Sequence, residues 1–337
     1  MPANRRFLLR RRPVGDPVPD DFALVEEAIP ELGEGQFLIR NHYASLDPAQ
    51  RGWMDDAESY MPPIPLGAPV RASTIGVVEA SRAEGVAPGQ WVMGLNAIED
   101  YSVGTVGGFT KPIDAAAVPS ITNYLSLLGA VGMTAYFGLL EVCEPKPGET
   151  VLVTGAAGAV GSIVGQLAKI AGCRAVGIAG GANKCDRLIK RYGFDAAIDY
   201  RGKDEAALTR AIAEAAPDGV DVIFENVGGI ILDAGLTNLN LRGRVGLCGL
   251  ISEYNSPKPV GARNLWQLIV KRASIRGLLV ADYVARFGEG AAQMGEWAGQ
   301  GRIVVDEHVD EGIENAYAAF MRLFAGTNQG KMILKIG

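Results

Sequence analysis

The chain has 337 residues and a formal net charge of −6, with 48% hydrophobic and 21% charged residues, 44 glycines, 4 cysteines and 2 histidines. At about 100–200 residues per domain, this length predicts two folded domains with cores of their own, and the acidic balance leaves no electrostatic footprint for nucleic acid. Cysteines at 143, 173, 185 and 248 form no C-x-x-C pair, which argues against a disulfide scaffold or zinc knuckle and suits reduced thiols in the cytoplasm.

Five of the first twelve residues are arginine, flanking Phe7-Leu8-Leu9. The pattern reads as a solvated first strand rather than a transit peptide. Of the 18 prolines, 15 precede residue 150. Short strands are predicted over residues 22–26, 36–44, 74–80 and 90–94, broken by Pro/Gly clusters at 61–67 and 87–89. A small irregular β-barrel fits this pattern. Residues 115–140 carry no Asp, Glu, Lys or Arg, which meets the length rule for a membrane span. Pro119, Asn123 and interspersed Ser, Thr and Gly dilute the segment, so buried helix and loop are expected, with no membrane association.

After residues 145–148 (PKPG) the character changes. Apolar runs begin near Val151, Arg174, Ala196, Val220 and Gly243, spaced 23, 22, 24 and 23 residues apart. Helix-compatible stretches fill the gaps at 160–171, 184–192 and 205–215. This is the rhythm of a doubly wound parallel sheet, whose crossovers need a dozen or more residues. The tail predicts a helix over 281–300, a strand over 303–307, a helix over 311–324 and a last strand over 331–336.

Directly after the first run stands Thr154-Gly155-Ala156-Ala157-Gly158-Ala159-Val160-Gly161, then a helix. It is a relaxed dinucleotide fingerprint, with Ala156 at the first glycine position. Gly158 allows the backbone to approach a pyrophosphate, and Gly161 allows close packing of helix on strand. An NAD site places an acid about 20 residues on, for the ribose 2′-hydroxyl. Here stand Gly180-Gly181, with Lys184 beyond them and no acid until Asp186. That combination suits a 2′-phosphate, with Tyr200-Arg201 adding a ring and a second cation. NADPH is the expected cofactor.

Residues 134–140 (TAYFGLL), 156–166 (AAGAVGSIVGQ), 225–229 (ENVGG), 248–255 (CGLISEYN) and 328–331 (NQGK) resemble the zinc-free group of the medium-chain dehydrogenase/reductase superfamily that contains prostaglandin reductase (leukotriene B4 dehydrogenase), plant double-bond reductases and bacterial curcumin reductase. The resemblance implies a GroES-like irregular β-barrel domain over 1–122 and 295–337 and a Rossmann domain over 123–294. It implies NADPH-dependent reduction of the C=C bond of α,β-unsaturated ketones or aldehydes, with hydride to the β-carbon and protonation of the enolate at the α-carbon. Lys184 and Tyr200 would hold the 2′-phosphate. Asn226 and the backbone of Leu278, Leu279 and Val280 would position the nicotinamide half, with Asn328 near the pyrophosphate. Thr134 and Cys248 fall within the matching strings, as further cofactor contacts. Tyr254 would approach the nicotinamide ribose and the substrate oxygen.

Zinc dehydrogenases need Cys/His ligands, and this chain offers only His42 and His308, with no cysteine before residue 143. No metal site is expected, so enolate charge falls to hydrogen-bond donors, Tyr254 foremost. Many relatives read D-P-Y-x-R where this chain has Asp47-Pro48-Ala49-Gln50-Arg51. Ala49 removes a phenol, which leaves a wider pocket or a replacement from Tyr43, Trp53 or Tyr60. Asp47 and Arg51 are expected to fix that loop as a local ion pair. Family analogy suggests a homodimer through residues 274–280. Two other readings stay open: a zinc-free quinone reductase or secondary alcohol dehydrogenase, and a catalytically silent NADPH-binding protein.

Overall fold

A computed structural model describes residues 3–337. The chain divides into two units, one comprising residues up to Leu125 with Glu307–Asn328 and Met332–Gly337, the other Ser126–Asp306 with Gln329–Lys331.

The second unit is built on six parallel strands: Thr150–Val153, Arg174–Ala179, Ala196–Asp199, Val220–Glu225, Leu239–Leu247 and Ser274–Gly277. In chain order they pair as third, second, first, fourth, fifth, sixth. This is the Rossmann order, and the expected doubly wound sheet is present. The two central strands, Thr150–Val153 and Val220–Glu225, are buried except at Asp221, which is why they read as largely apolar runs. Helices Ala159–Ile170, Ala182–Lys190, Glu205–Ala215 and Gly229–Thr237 follow the first four strands. Cores lie on both faces, one around Phe137, Leu167 and Phe224, the other around Ile178, Ile212 and Ile223. Because the order reverses between the first and fourth strands, the loops at their carboxyl ends open a crevice for a ligand.

The first unit is antiparallel. Strands Glu307–Glu311, Lys331–Lys335, Gln36–Ser45, Arg71–Ser81, Trp91–Ala97 and Lys111–Pro112 pair in that order. Tyr101–Thr105, not anticipated from the sequence, pairs with Gln36–Ser45. Ala3–Leu9 and Phe22–Ala28 form a separate ribbon.

Residues 115–140 hold two 3-10 turns, Ala115–Ala117 and Ile121–Tyr124, and the helix Ala130–Phe137. Among the described residues no helix is long and apolar enough to cross a membrane.

The tail departs from expectation in three places. The helix expected from 281 begins as a 3-10 turn, Val280–Arg286, and becomes α-helical only over Phe287–Gly299, with Tyr283 stacked on Phe137 at 4.5 Å. Residues 303–306 are not a strand. The Gln166 side chain takes the place of a strand partner, accepting from the Val304 amide and donating to its carbonyl, both at 2.8 Å. The strand instead runs Glu307–Glu311, and Gly312, at φ 88°, breaks the chain before the helix Ala316–Ala325.

Candidate dinucleotide site

The first strand runs into the glycine loop, and Gly158 caps the helix Ala159–Ile170 without a side-chain hydrogen bond. A helix start whose cap lacks a side-chain oxygen suits an anion. A Cβ on Gly161 would lie 2.5 Å from the Gly155 carbonyl oxygen and 2.8 Å from Ala156 Cα, so the helix closes on the loop only because residue 161 is glycine. Ala156 is fully buried and its amide donates to the Ile178 carbonyl at 3.0 Å. Its methyl therefore faces the core, which explains why alanine serves at this position. Gly158 also bridges Gly330 of the C-terminal return.

The second strand ends on Gly180-Gly181. Gly181 sits at φ 95°, a conformation open to glycine, and starts the helix carrying Lys184. A Cβ on Gly180 would come within 3.0 Å of the Tyr200 ring, and one on Gly181 within 3.0 Å of the Arg201 guanidinium. Tyr200 and Arg201 therefore lie on the glycine turn. Burial, and then the positive charge of Arg201, lower the Lys184 ammonium below its ordinary pKa, so two cations share this end of the crevice. An acid at this turn was not anticipated from the sequence. Asp199, at the end of the third strand, accepts the Gly181 amide at 2.8 Å and the Arg201 amide at 3.0 Å. Burial opposes its ionisation, but those amides together with the Arg201 and Lys203 charges outweigh it and hold the carboxyl below its ordinary range.

At the end of the fourth strand Glu225 is completely buried. Its Oε1 accepts from the Val227 amide at 2.6 Å, the Gly228 amide at 2.7 Å and the Thr154 hydroxyl at 2.9 Å. Oε2 has no partner among the described residues. Burial raises its pKa above the ordinary glutamate value despite these donors. Asn226 is tied to the same threonine, its amide donating to Thr154 Oγ1 at 2.8 Å and its Nδ2 to the Thr154 carbonyl at 2.7 Å. Glu225 and Thr154 thus splint the glycine loop to the turn after the fourth strand. Sequence reasoning missed both residues; an acid and a threonine at the ends of adjacent central strands were the available signal.

After the fifth strand, the Cys248 amide donates to the Glu225 carbonyl at 2.9 Å. Burial, chiefly, pushes the Cys143 and Cys248 thiols up to about 12, and raises Cys173 and Cys185 as well. Tyr254 folds back over its own turn, where its phenol oxygen accepts the Leu250 amide at 3.1 Å. The Leu278 amide donates to the Leu247 carbonyl at 3.0 Å, and Leu278 and Val280 pack against the core that includes Phe137. Leu279 is the N-cap of the Val280–Arg286 turn. Thr134 donates back to the Ala130 carbonyl within its helix, at 2.7 Å.

Asn328 is buried, in the first unit. The expected substrate residues there separate into two places. Ala49 is the N-cap of the short helix Gln50–Trp53, and Trp53 meets Tyr60 edge-on at 6.4 Å. Tyr43 instead packs around Ile75, Leu125 and Ile333. The ion pair expected within the 47–51 loop takes another form. Arg51 reaches Asp55, one helical turn on, at 2.6 Å, and the carbonyls of Pro13 and Gly15, whereas the Asp47 carboxylate accepts the Ser45 hydroxyl. Among the described residues no three His, Cys, Asp or Glu side chains gather as metal ligands.

A family model described as "N-terminal domain of oxidoreductase" matches residues 5–111, and one described as "Zinc-binding dehydrogenase" matches 159–297. The NADPH-dependent curcumin reductase of Escherichia coli is 40% identical over 339 residues, covering 99% of this chain and 97% of that protein. The 2-alkenal reductase (NADP(+)-dependent) of Nicotiana tabacum is 38% identical, covering 99% and 98%. The crystal structure of CurA in complex with NADPH from Vibrio vulnificus matches with a TM-score of 0.93 at 40% identity, covering 99% of each chain.

Proposed function

Because the chain belongs to the zinc-free medium-chain dehydrogenase/reductase group that includes curcumin reductase and prostaglandin reductase, we propose that it reduces the C=C bond of α,β-unsaturated ketones and aldehydes with NADPH. The observation that carries the cofactor choice is the Gly180-Gly181 turn. Two cations and a ring converge there, and the nearest acid, Asp199, holds the Gly181 and Arg201 backbone amides with its Oδ1. That arrangement fits a 2′-phosphate.

When bound, NADPH supplies a hydride to the β-carbon of the acceptor. In our reading the loop Gly155 to Gly161 and the helix behind it hold the pyrophosphate, with Asn328 beside it. Lys184, Tyr200 and Arg201 hold the 2′-phosphate. Asn226, Cys248, Thr134 and the backbone of Leu278, Leu279 and Val280 hold the nicotinamide half. Tyr254 donates to the acceptor's carbonyl oxygen, where negative charge builds as the β-carbon is reduced. The Leu250 amide, donating into the phenol oxygen, polarises that O–H and makes it a better donor. The α-carbon then takes a proton. Ala49, Trp53 and Tyr60 are the acceptor contacts we assign to the first unit.

A second copy of the chain is the proposed partner. The strand Ser274–Gly277 is an exposed sheet edge, and beside it Trp266 and Ile269 are 66% and 65% exposed. An open edge flanked by apolar side chains favours strand-to-strand pairing. The four unpaired cysteines suit the cytoplasm. Loss of NADPH absorbance with a panel of enones and enals, with product identification, tests the function. Saturated ketones or aldehydes are expected, and an absence of turnover across the panel would refute it.

A further inference from the structure

Arg71, in the first unit, is a half-buried cation without a counter-charge. It opens the strand Arg71–Ser81, and its Nη1 donates to the Pro62 carbonyl at 2.9 Å. The guanidinium lies 5.9 Å from the centre of the Trp53 ring, and Tyr60 closes on the same indole. Among the described residues no carboxylate pairs with Arg71. Burial alone pulls its pKa down, whereas the other arginines whose values move, such as Arg5, Arg6 and Arg244, are raised by carboxylates they bond. A desolvated charge left without an opposite charge is costly.

The position is also built. Gln50 is 1% exposed, and its Nε2 donates to the Arg71 carbonyl at 2.9 Å and to the Ser45 carbonyl at 3.3 Å, while its Oε1 accepts the Asp47 amide at 2.9 Å. One buried amide therefore fixes the start of the Arg71 strand against the turn that carries Ala49. Trp53 projects from the helix that Ala49 caps. Beyond the bond from Nη1 to the Pro62 carbonyl, the guanidinium keeps N–H groups for a planar anion, and an arginine fork matches a carboxylate.

We propose that Arg71, held beside Trp53 in the first unit, is a carboxylate subsite, and that the acceptors this chain prefers are unsaturated ketones carrying an acidic group. The inference rests on the enone-reductase reading and narrows its substrate class. Its test compares a 4-oxo-2-alkenoic acid with its methyl ester, in the wild type and in Arg71→Met and Arg71→Lys.

The wild type is expected to prefer the acid by about tenfold or more in kcat/KM, the scale of one charge-assisted hydrogen bond. Arg71→Met should raise the acid's KM by that factor and remove the preference, and Arg71→Lys should restore part of it. Equal handling of acid and ester by the wild type, or an equal loss on both in Arg71→Met, would overturn the proposal. Calorimetric titration with the saturated 4-oxo acid and its ester, in the presence of NADP, separates this idea from the catalytic reading. If neither acceptor turns over, a stronger binding of the acid that Arg71→Met abolishes still supports the subsite, and equal binding of the two sinks it.

Discussion

Replacing Glu225 by alanine removes the acceptor of three hydrogen bonds in a fully buried site. Each buried donor left unsatisfied costs about 1–3 kcal/mol, so even with local relaxation the loss should reach about 3–5 kcal/mol, a large part of a typical folding free energy of about 5–15 kcal/mol. Glu225→Gln keeps the accepting oxygen, and should cost under about 1 kcal/mol. Denaturant midpoints measured without cofactor give both values, and the slope should stay constant if only stability changes. NADPH affinity should fall with the alanine variant and hold with glutamine, because the splint joins the glycine loop to Asn226. The pH dependence has a definite sign. Burial raises the folded-state pKa of Glu225, so the stabilisation from its protonated form is complete below the ordinary glutamate range and is lost as pH rises through the elevated value. The stability of wild type relative to Glu225→Gln should therefore decline with rising pH. An alanine variant within about 1 kcal/mol of wild type, or a glutamine variant as unstable as alanine, would refute this account of the splint.

Lys184→Ala and Arg201→Ala should each raise the KM for NADPH by about tenfold to a hundredfold while leaving that for NADH nearly unchanged, and equal effects on the two cofactors would refute the 2′-phosphate assignment. Gly161→Ala places a methyl against the Gly155 carbonyl at 2.5 Å, so NADPH binding in a titration should be largely lost, and near-normal binding would show that the helix can shift. Tyr254→Phe should lower kcat by about tenfold or more with a smaller effect on the NADPH dissociation constant, whereas an unchanged kcat would reduce the residue to a loop brace. Trp266→Glu combined with Ile269→Glu should convert a dimer to monomer in sedimentation, and an unchanged species at all concentrations would move the interface elsewhere.

The parallel sheet was legible because strands buried on both faces spell themselves as apolar runs, and five such runs recur at near-constant spacing from Val151. The glycine loop and the Gly180-Gly181 turn were legible too, since backbone approach demands glycine. Tyr101–Thr105 was not, because a short strand containing Gly104 carries little apolar alternation. Asp199 and Glu225 were missed for a related reason: local sequence does not say whether an acid at a strand end faces solvent or collects backbone amides. The tail slipped because the Gln166 side chain, 138 residues before Val304, satisfies that residue's backbone. The separation of Tyr43 from Trp53 and Tyr60 likewise depends on contacts distant in the chain.

The four cysteines bear on how such an enzyme survives its own substrates. Conjugated enals and enones alkylate thiolates, and the thiolate is the reactive form of cysteine. With the Cys143 and Cys248 thiols pushed up to about 12, chiefly by burial, the thiolate is a minor form of either at neutral pH. Cys248 lies in the loop after the fifth strand, where we place the nicotinamide half. There an ordinary exposed thiol would compete with hydride for the same electrophilic carbon. The raised thiol pKa values thus make Cys143 and Cys248 poor targets for such reagents.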